Sequence, residues 1–144
     1  MFDCAVRDLP AYIPADENFK LQFIHVEDVC RFAEVLITTT PEQRVYNIGS
    51  APVSALEWVR ACYDAAGQVA RVHTVGNDVE QRGYFPFHAY SYALDCSAAY
   101  KLVPPAIGLA DGLKRAYAQY CAHGYDIKRK DYLKFINENL RFDE

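Results

Sequence analysis

No stretch of the chain approaches the ~20 consecutive apolar residues that a membrane-spanning helix needs. The opening Met1-Phe2-Asp3-Cys4 also lacks a basic start followed by an apolar run. Neither a membrane span nor a secretory leader is expected. Glycine is sparse, with 7 residues in 144, and no G-x-G-x-x-G or P-loop pattern occurs. The usual glycine-rich cradle that points backbone N–H groups at a pyrophosphate is therefore not encoded. His25, His73, His88 and His123 are too dispersed for an H-E-x-x-H or other local metal-ligand set, and no G-x-S-x-G elbow surrounds a serine. None of the 11 tyrosines is followed four residues later by a lysine, so a tyrosine general acid tuned by a lysine one helical turn away is missing. Cys4, Cys30, Cys62, Cys96 and Cys121 are odd in number, widely spaced and without a C-x-x-C pair. They read as free thiols in a reducing, cytoplasmic setting. Excess positive charge is lacking too: the formal net charge is −4, which disfavours nucleic acid as a partner.

What is present is ordinary globular composition. Hydrophobic residues make up 51%, aromatics 14% and charged residues 24% of the 144 positions, enough to bury one core and incompatible with a disordered chain. Residues 1–18 show no sustained period and are expected to be an irregular lead-in, with 19–144 forming one domain. Phe19 to Val26 alternates and then becomes continuously apolar, as in a strand with a buried face. Val26, Val29, Cys30, Ala33, Leu36 and Ile37 then recur at helical spacing, with Glu27 and Asp28 in the first turn where the helix dipole favours them.

Arg44 to Ile48 reads as a short strand after the break at Pro41. Ser54-Ala55-Leu56-Glu57 is a capping box, so a helix is expected from Ala55 until Gly67 supplies a left-handed terminus. Further expectations are a strand over Val69 to Val75, a strand over Ser91 to Asp95, and a short helix over Cys96 to Leu102. After Pro104-Pro105 a helix carries Leu109, Leu113, Ala116, Tyr117 and Tyr120 and ends at Gly124. A last helix runs from Asp126 to about Leu140. Lys128 to Lys134 holds four cations with Asp131 interleaved, the pattern of a solvated helix face.

Between these elements, Gln81-Arg82-Gly83-Tyr84-Phe85-Pro86-Phe87-His88 concentrates a cation and three aromatics around two chain breakers. It is the segment in which to look for a ligand. A guanidinium at Arg82 can clamp a diphosphate bidentately or simply pair at the surface. Tyr84, Phe85 and Phe87 can stack on a base or sugar, or pack the loop against the core. His25, between a strand and a helix, can bond a neighbouring backbone group.

Several strings, in order, resemble the C-terminal third of extended short-chain dehydrogenase/reductases, the NAD(P)-dependent nucleotide-sugar epimerases and dehydratases. They are Phe23-Ile24-His25-Val26-Glu27-Asp28-Val29, then Val45-Tyr46-Asn47-Ile48-Gly49-Ser50, then Arg82-Gly83, then Leu94-Asp95-Cys96-Ser97-Ala98-Ala99, and finally Gly108-Leu109-Ala110-Asp111-Gly112-Leu113. The resemblance implies an α/β fold with a small sheet of three to four short strands and four to five helices, a partial Rossmann-like region without the nucleotide-binding sheet. It implies a C-terminal substrate-binding domain, inactive alone, that would meet a nucleotide-diphosphate sugar through Arg82, Tyr84, Phe85, Phe87 and Gln22. NAD(P) would serve the intact enzyme, whose tyrosine–lysine pair and cofactor loop are not among these residues, so this chain alone is expected to bind no cofactor and no metal. Two departures stand out: Leu21 occupies a position where many members carry a phosphate-binding arginine, and Lys101-Leu102-Val103 replaces the usual L-G-W. A free-standing interaction or regulatory module derived from the family is the alternative. An RNA-binding use known among relatives is opposed by the charge. Self-association is expected, through the stripe Val29, Ala33, Leu36 and Ile37 and an edge over Val45 to Ile48.

Overall fold

In a computed structural model of the chain, which describes residues 1–88, 92–123 and 132–140, the helix opened by Ser54 is the hub. The elements in order are α1 (Phe2–Val6), β1 (Ala11–Pro14), β2 (Lys20–Leu21), α2 (Val26–Thr38), β3 (Val53–Ser54), α3 (Ala55–Ala65), β4 (Val72–Val75), a 3-10 turn (Gln81–Gly83), α4 (Ser97–Leu102), α5 (Leu109–His123) and α6 (Tyr132–Asn139).

The capping box closes as its sequence dictates. The Glu57 amide donates to Ser54 Oγ at 3.2 Å and the Ser54 amide donates to Glu57 Oε2 at 2.7 Å, satisfying donors that a helix start otherwise leaves open. At the other end Gly67 takes φ +71°, and its amide reaches the Asp64 carbonyl at 3.0 Å. An L side chain resists that backbone, which is why the helix stops there. Between these stops Trp58, Val59, Cys62 and Tyr63 are buried, each apolar side chain contributing roughly 1.5–3 kcal/mol on leaving water. α3 touches α1, α5, β1, β2 and β3.

Four strands form two separate two-stranded sheets. β1 pairs parallel with β4, Ala11 opposite Val72 and Pro14 opposite Val75; β2 pairs antiparallel with β3, Lys20 opposite Ser54 and Leu21 opposite Val53. The core gathers Ala5, Ala11, Ile13, Phe19, Leu21, Trp58, Val59, Tyr63, Val75, Phe85 and Ile136. The α/β class holds, with two small sheets in place of one and six helices among the described residues rather than four to five.

Several boundaries differ from the sequence reading. Residues 1–18 are not irregular: they supply α1 and β1, a helix too short to show a period and a strand ending at a proline. Of the strand expected over Phe19 to Val26 only Lys20–Leu21 is laddered, and residues 44–48 form no strand. The first segment instead meets the chain just past the second through Ser50, whose amide and hydroxyl both donate to the Phe23 carbonyl, at 2.6 and 2.8 Å. Residues 92–95 are not a strand, and Ser91 lies outside the described residues, as do Gly124, the expected start of the last helix at Asp126 and most of the Lys128 to Lys134 run.

Candidate functional site

The aromatic segment folds inward. Phe85 has no exposed surface, and its ring meets Phe19 and Trp58 edge-on, each at 5.8 Å between centroids. Phe87 follows, 5.1 Å from Trp58 and 5.7 Å from Phe23. These edge-to-face pairs carry the favourable quadrupole geometry of packed aromatics, so Phe85 and Phe87 build the wall behind the segment. The segment is also tied to itself: Arg82 Nη1 donates to the Pro86 carbonyl, and Gln81 Nε2 donates to the Phe87 carbonyl at 3.1 Å. Gly83 lies under α6, where a Cβ would stand 2.3 Å from Phe135 Cε1.

Gln22 lies elsewhere and acts as a tie. Its Nε2 donates to the carbonyls of Ser50 at 3.0 Å and Leu94 at 3.2 Å, while its Oε1 accepts the Leu94 amide at 2.8 Å. Gly49 lets it pass, since a Cβ there would come within 3.0 Å of Gln22 Cδ.

Of the five residues singled out in sequence, Tyr84 lines an opening. A cleft of about 250 Å³ is bounded by Asp16, Phe19, Asn77, Val79, Gln81 and Tyr84. Tyr84 is 4% exposed, and burial, with a smaller contribution from the charge of Asp78, raises its hydroxyl pKa, keeping it a neutral donor. Gln81 belongs to the segment read as a ligand site, whereas Asp16 and Asn77 escaped the sequence reading because they come from two turns far apart in the chain, with no local pattern to join them. A second, water-sized hollow of about 10 Å³ lies beside Asp28, Phe32, Gly49 and Tyr100.

The starts of α2 and α3 are engaged by their own side chains. His25 Nδ1 accepts the Glu27 amide at 3.2 Å at the start of α2, whose first turn carries Glu27 and Asp28, and Ser54 with Glu57 closes α3. Carboxylates at both ends oppose an anion. The starts of α2 and α3 therefore disfavour a pyrophosphate. Among the described residues there is no group of three His, Cys, Asp or Glu able to hold a metal ion, and no helix long and apolar enough to cross a membrane.

No protein-family profile matches the chain, and no curated protein is similar to it in sequence. Solved structures are similar in fold. UDP-glucuronic acid 4-epimerase from Bacillus cereus, in complex with UDP-glucuronic acid and NAD, superimposes with a TM-score of 0.61 at 21% identity over 84% of this chain and 38% of its own. dTDP-glucose 4,6-dehydratase from Bacillus anthracis, with NAD, gives 0.61 at 18% identity over 86% of this chain and 38% of its own. UDP-glucose 4-epimerase from Bifidobacterium longum, with NAD+ and UDP, gives 0.60 at 21% over 88% and 39%. The chain thus has the fold of part of these proteins and spans about two-fifths of their length.

Proposed function

We propose that this chain is the substrate-binding portion of an NAD(P)-dependent nucleotide-sugar epimerase or dehydratase, with the hydride-transfer apparatus lying outside these residues. The observation that supports it is the likeness over 84–88% of the chain to epimerases and a dehydratase, which agrees with the ordered sequence strings. In this reading a nucleotide-diphosphate sugar meets the 81–88 segment, where Arg82 supplies the cation, Tyr84 a hydroxyl and Phe85 with Phe87 the apolar backing, and Gln22 holds the adjoining loops in place. Function resides in such a site rather than in the fold.

Calorimetry with UDP-glucose and with NAD+ tests it. Weak UDP-glucose binding that falls on Arg82→Ala, with no NAD+ binding and no epimerase or dehydratase activity, is the expected result. Micromolar NAD+ binding at one site would overturn the assignment of cofactor binding to residues outside the chain. UDP-glucose affinity unchanged by Arg82→Ala would remove that residue from the site. Self-association through α2 belongs to the same proposal: of the expected stripe Ala33 and Ile37 are exposed while Val29 and Leu36 are half-buried, and Val26 and Cys30 extend the exposed side.

A further inference from the structure

The cleft between the 16–19 turn and the 77–84 segment differs from what a diphosphate requires. Its lining residues include no cation and one carboxylate, Asp16. Glu17, Asp78 and Glu80 are exposed on the same two stretches of chain. The two cations that adjoin the lining in sequence are not part of it: Arg82 directs Nη1 to the Pro86 carbonyl, and Lys20, beside Phe19, is exposed. A volume of about 250 Å³ is also below the roughly 300–1,000 Å³ typical of pockets that enclose drug-sized ligands. There is room for one small ring, in a field that repels anions.

The lining has the chemistry of a site for hydroxyl groups. Phe19 and Val79 give an apolar wall, Asn77 and Gln81 give amides that both donate and accept, and Asp16 gives an acceptor. The Tyr84 hydroxyl, on a side chain 4% exposed, makes no hydrogen bond among the described residues. No fully sealed side-chain nitrogen or oxygen lacks a partner among the described residues, so this unbonded hydroxyl is not sealed off, and the cleft is an opening that its side chain lines. A nearly buried phenol facing a polar hollow is left short of the partner such groups ordinarily have.

We propose that this cleft binds a small uncharged hydroxylated ring, of monosaccharide size, with the Tyr84 hydroxyl hydrogen-bonded to it from the floor and Asn77 and Gln81 at the rim. The site needs no diphosphate-binding cation, although it shares Gln81 and Tyr84 with the segment of the nucleotide-sugar reading. Affinity is millimolar, as expected for a shallow site making few hydrogen bonds with a strongly hydrated ligand.

Titration of the isotopically labelled chain with glucose and galactose, followed by NMR, decides the matter, with pyrophosphate and UMP as counter-probes. The expected result is saturable shifts of the Asn77, Val79 and Tyr84 resonances with at least one sugar and none with pyrophosphate. Tyr84→Phe should weaken that sugar by about 2- to 12-fold, the range one neutral hydrogen bond gives. Asn77→Ala, at an exposed position, provides the same comparison should Tyr84→Phe disturb folding. Absence of sugar shifts, sugar affinity unchanged in the variants, or shifts of the same resonances by pyrophosphate or UMP would each overturn the proposal.

Discussion

The Asp28 carboxylate of α2 accepts the backbone amide of Ile107, 79 residues further on, at 3.0 Å, and through its other oxygen that of Ala106 at 2.9 Å. Arg31 Nη1 adds a contact at 2.7 Å, although α2 makes few other contacts with regular elements. Burial raises the Asp28 pKa, but the two backbone donors and Arg31 together outweigh it and leave the group below its ordinary value. Because the folded pKa is depressed, the stabilisation is complete above the unfolded value of about 3.9 and is lost as pH falls through the folded one. Asp28→Ala should cost about 2–4 kcal/mol by stranding two backbone donors, measured by urea unfolding. Asp28→Asn should flatten the acid limb of stability against pH. An acid limb identical to that of the parent would show that other carboxylates govern it.

Gly83→Ala should displace the Phe135 ring, because the new methyl carbon would sit 2.3 Å from Cε1. Overpacking of this kind costs about 1–3 kcal/mol. It should release α6, seen as faster proteolysis after residue 123. Adding Phe135→Leu should recover part of the loss. No recovery would place the damage in the backbone of the 3-10 turn.

Thiol reactivity should divide by position. Cys30 and Cys121 are exposed, whereas Cys62 is buried and its thiol is pushed up to about 12 by that burial. Since the thiolate is the reacting form, a disulfide reagent should label Cys30 and Cys121 first and reach Cys62 only as fast as the fold opens. Early labelling of Cys62, located by peptide mapping, would contradict this packing.

Self-association should show in light scattering as a mass that rises above 16.4 kDa with concentration. Ile37 is 83% and Val26 67% exposed, so Ile37→Glu should return the chain to the monomer mass. A constant monomer mass at high micromolar concentration would mean that this apolar stripe stays in water without a partner.

The capped helix α3 was legible almost to the residue, because Ser54, Glu57 and Gly67 encode its ends locally, and α2 and β4 were carried by their periods. The strand read at Arg44 to Ile48 failed because Tyr46 packs its ring on Phe32 at 5.6 Å in a segment that joins no ladder; alternation records burial, not pairing. Phe85 and Phe87 illustrate the converse. A loop dense in aromatics looked like a ligand surface, yet much of it is core, a distinction set by Trp58 and Phe19 from distant segments. The ties of Gln22 to Leu94 and of Asp28 to Ile107 carry no local signal, since these partners lie 72 and 79 residues away in the chain.

The parallel ladder between β1 and β4 also sets an order of events in folding. Ala11 cannot find Val72 until α2 and α3 have been made or collapsed between them, and closing so long a loop carries an entropy cost before any contact offsets it. Local structure such as the Ser54 box can form early, whereas the first fourteen residues dock late, and contact order of this kind slows a small domain. During synthesis β1 would leave the ribosome well before its partner strand, and Ala11 and Ile13 could not be covered by β4 until residue 75 had cleared the tunnel.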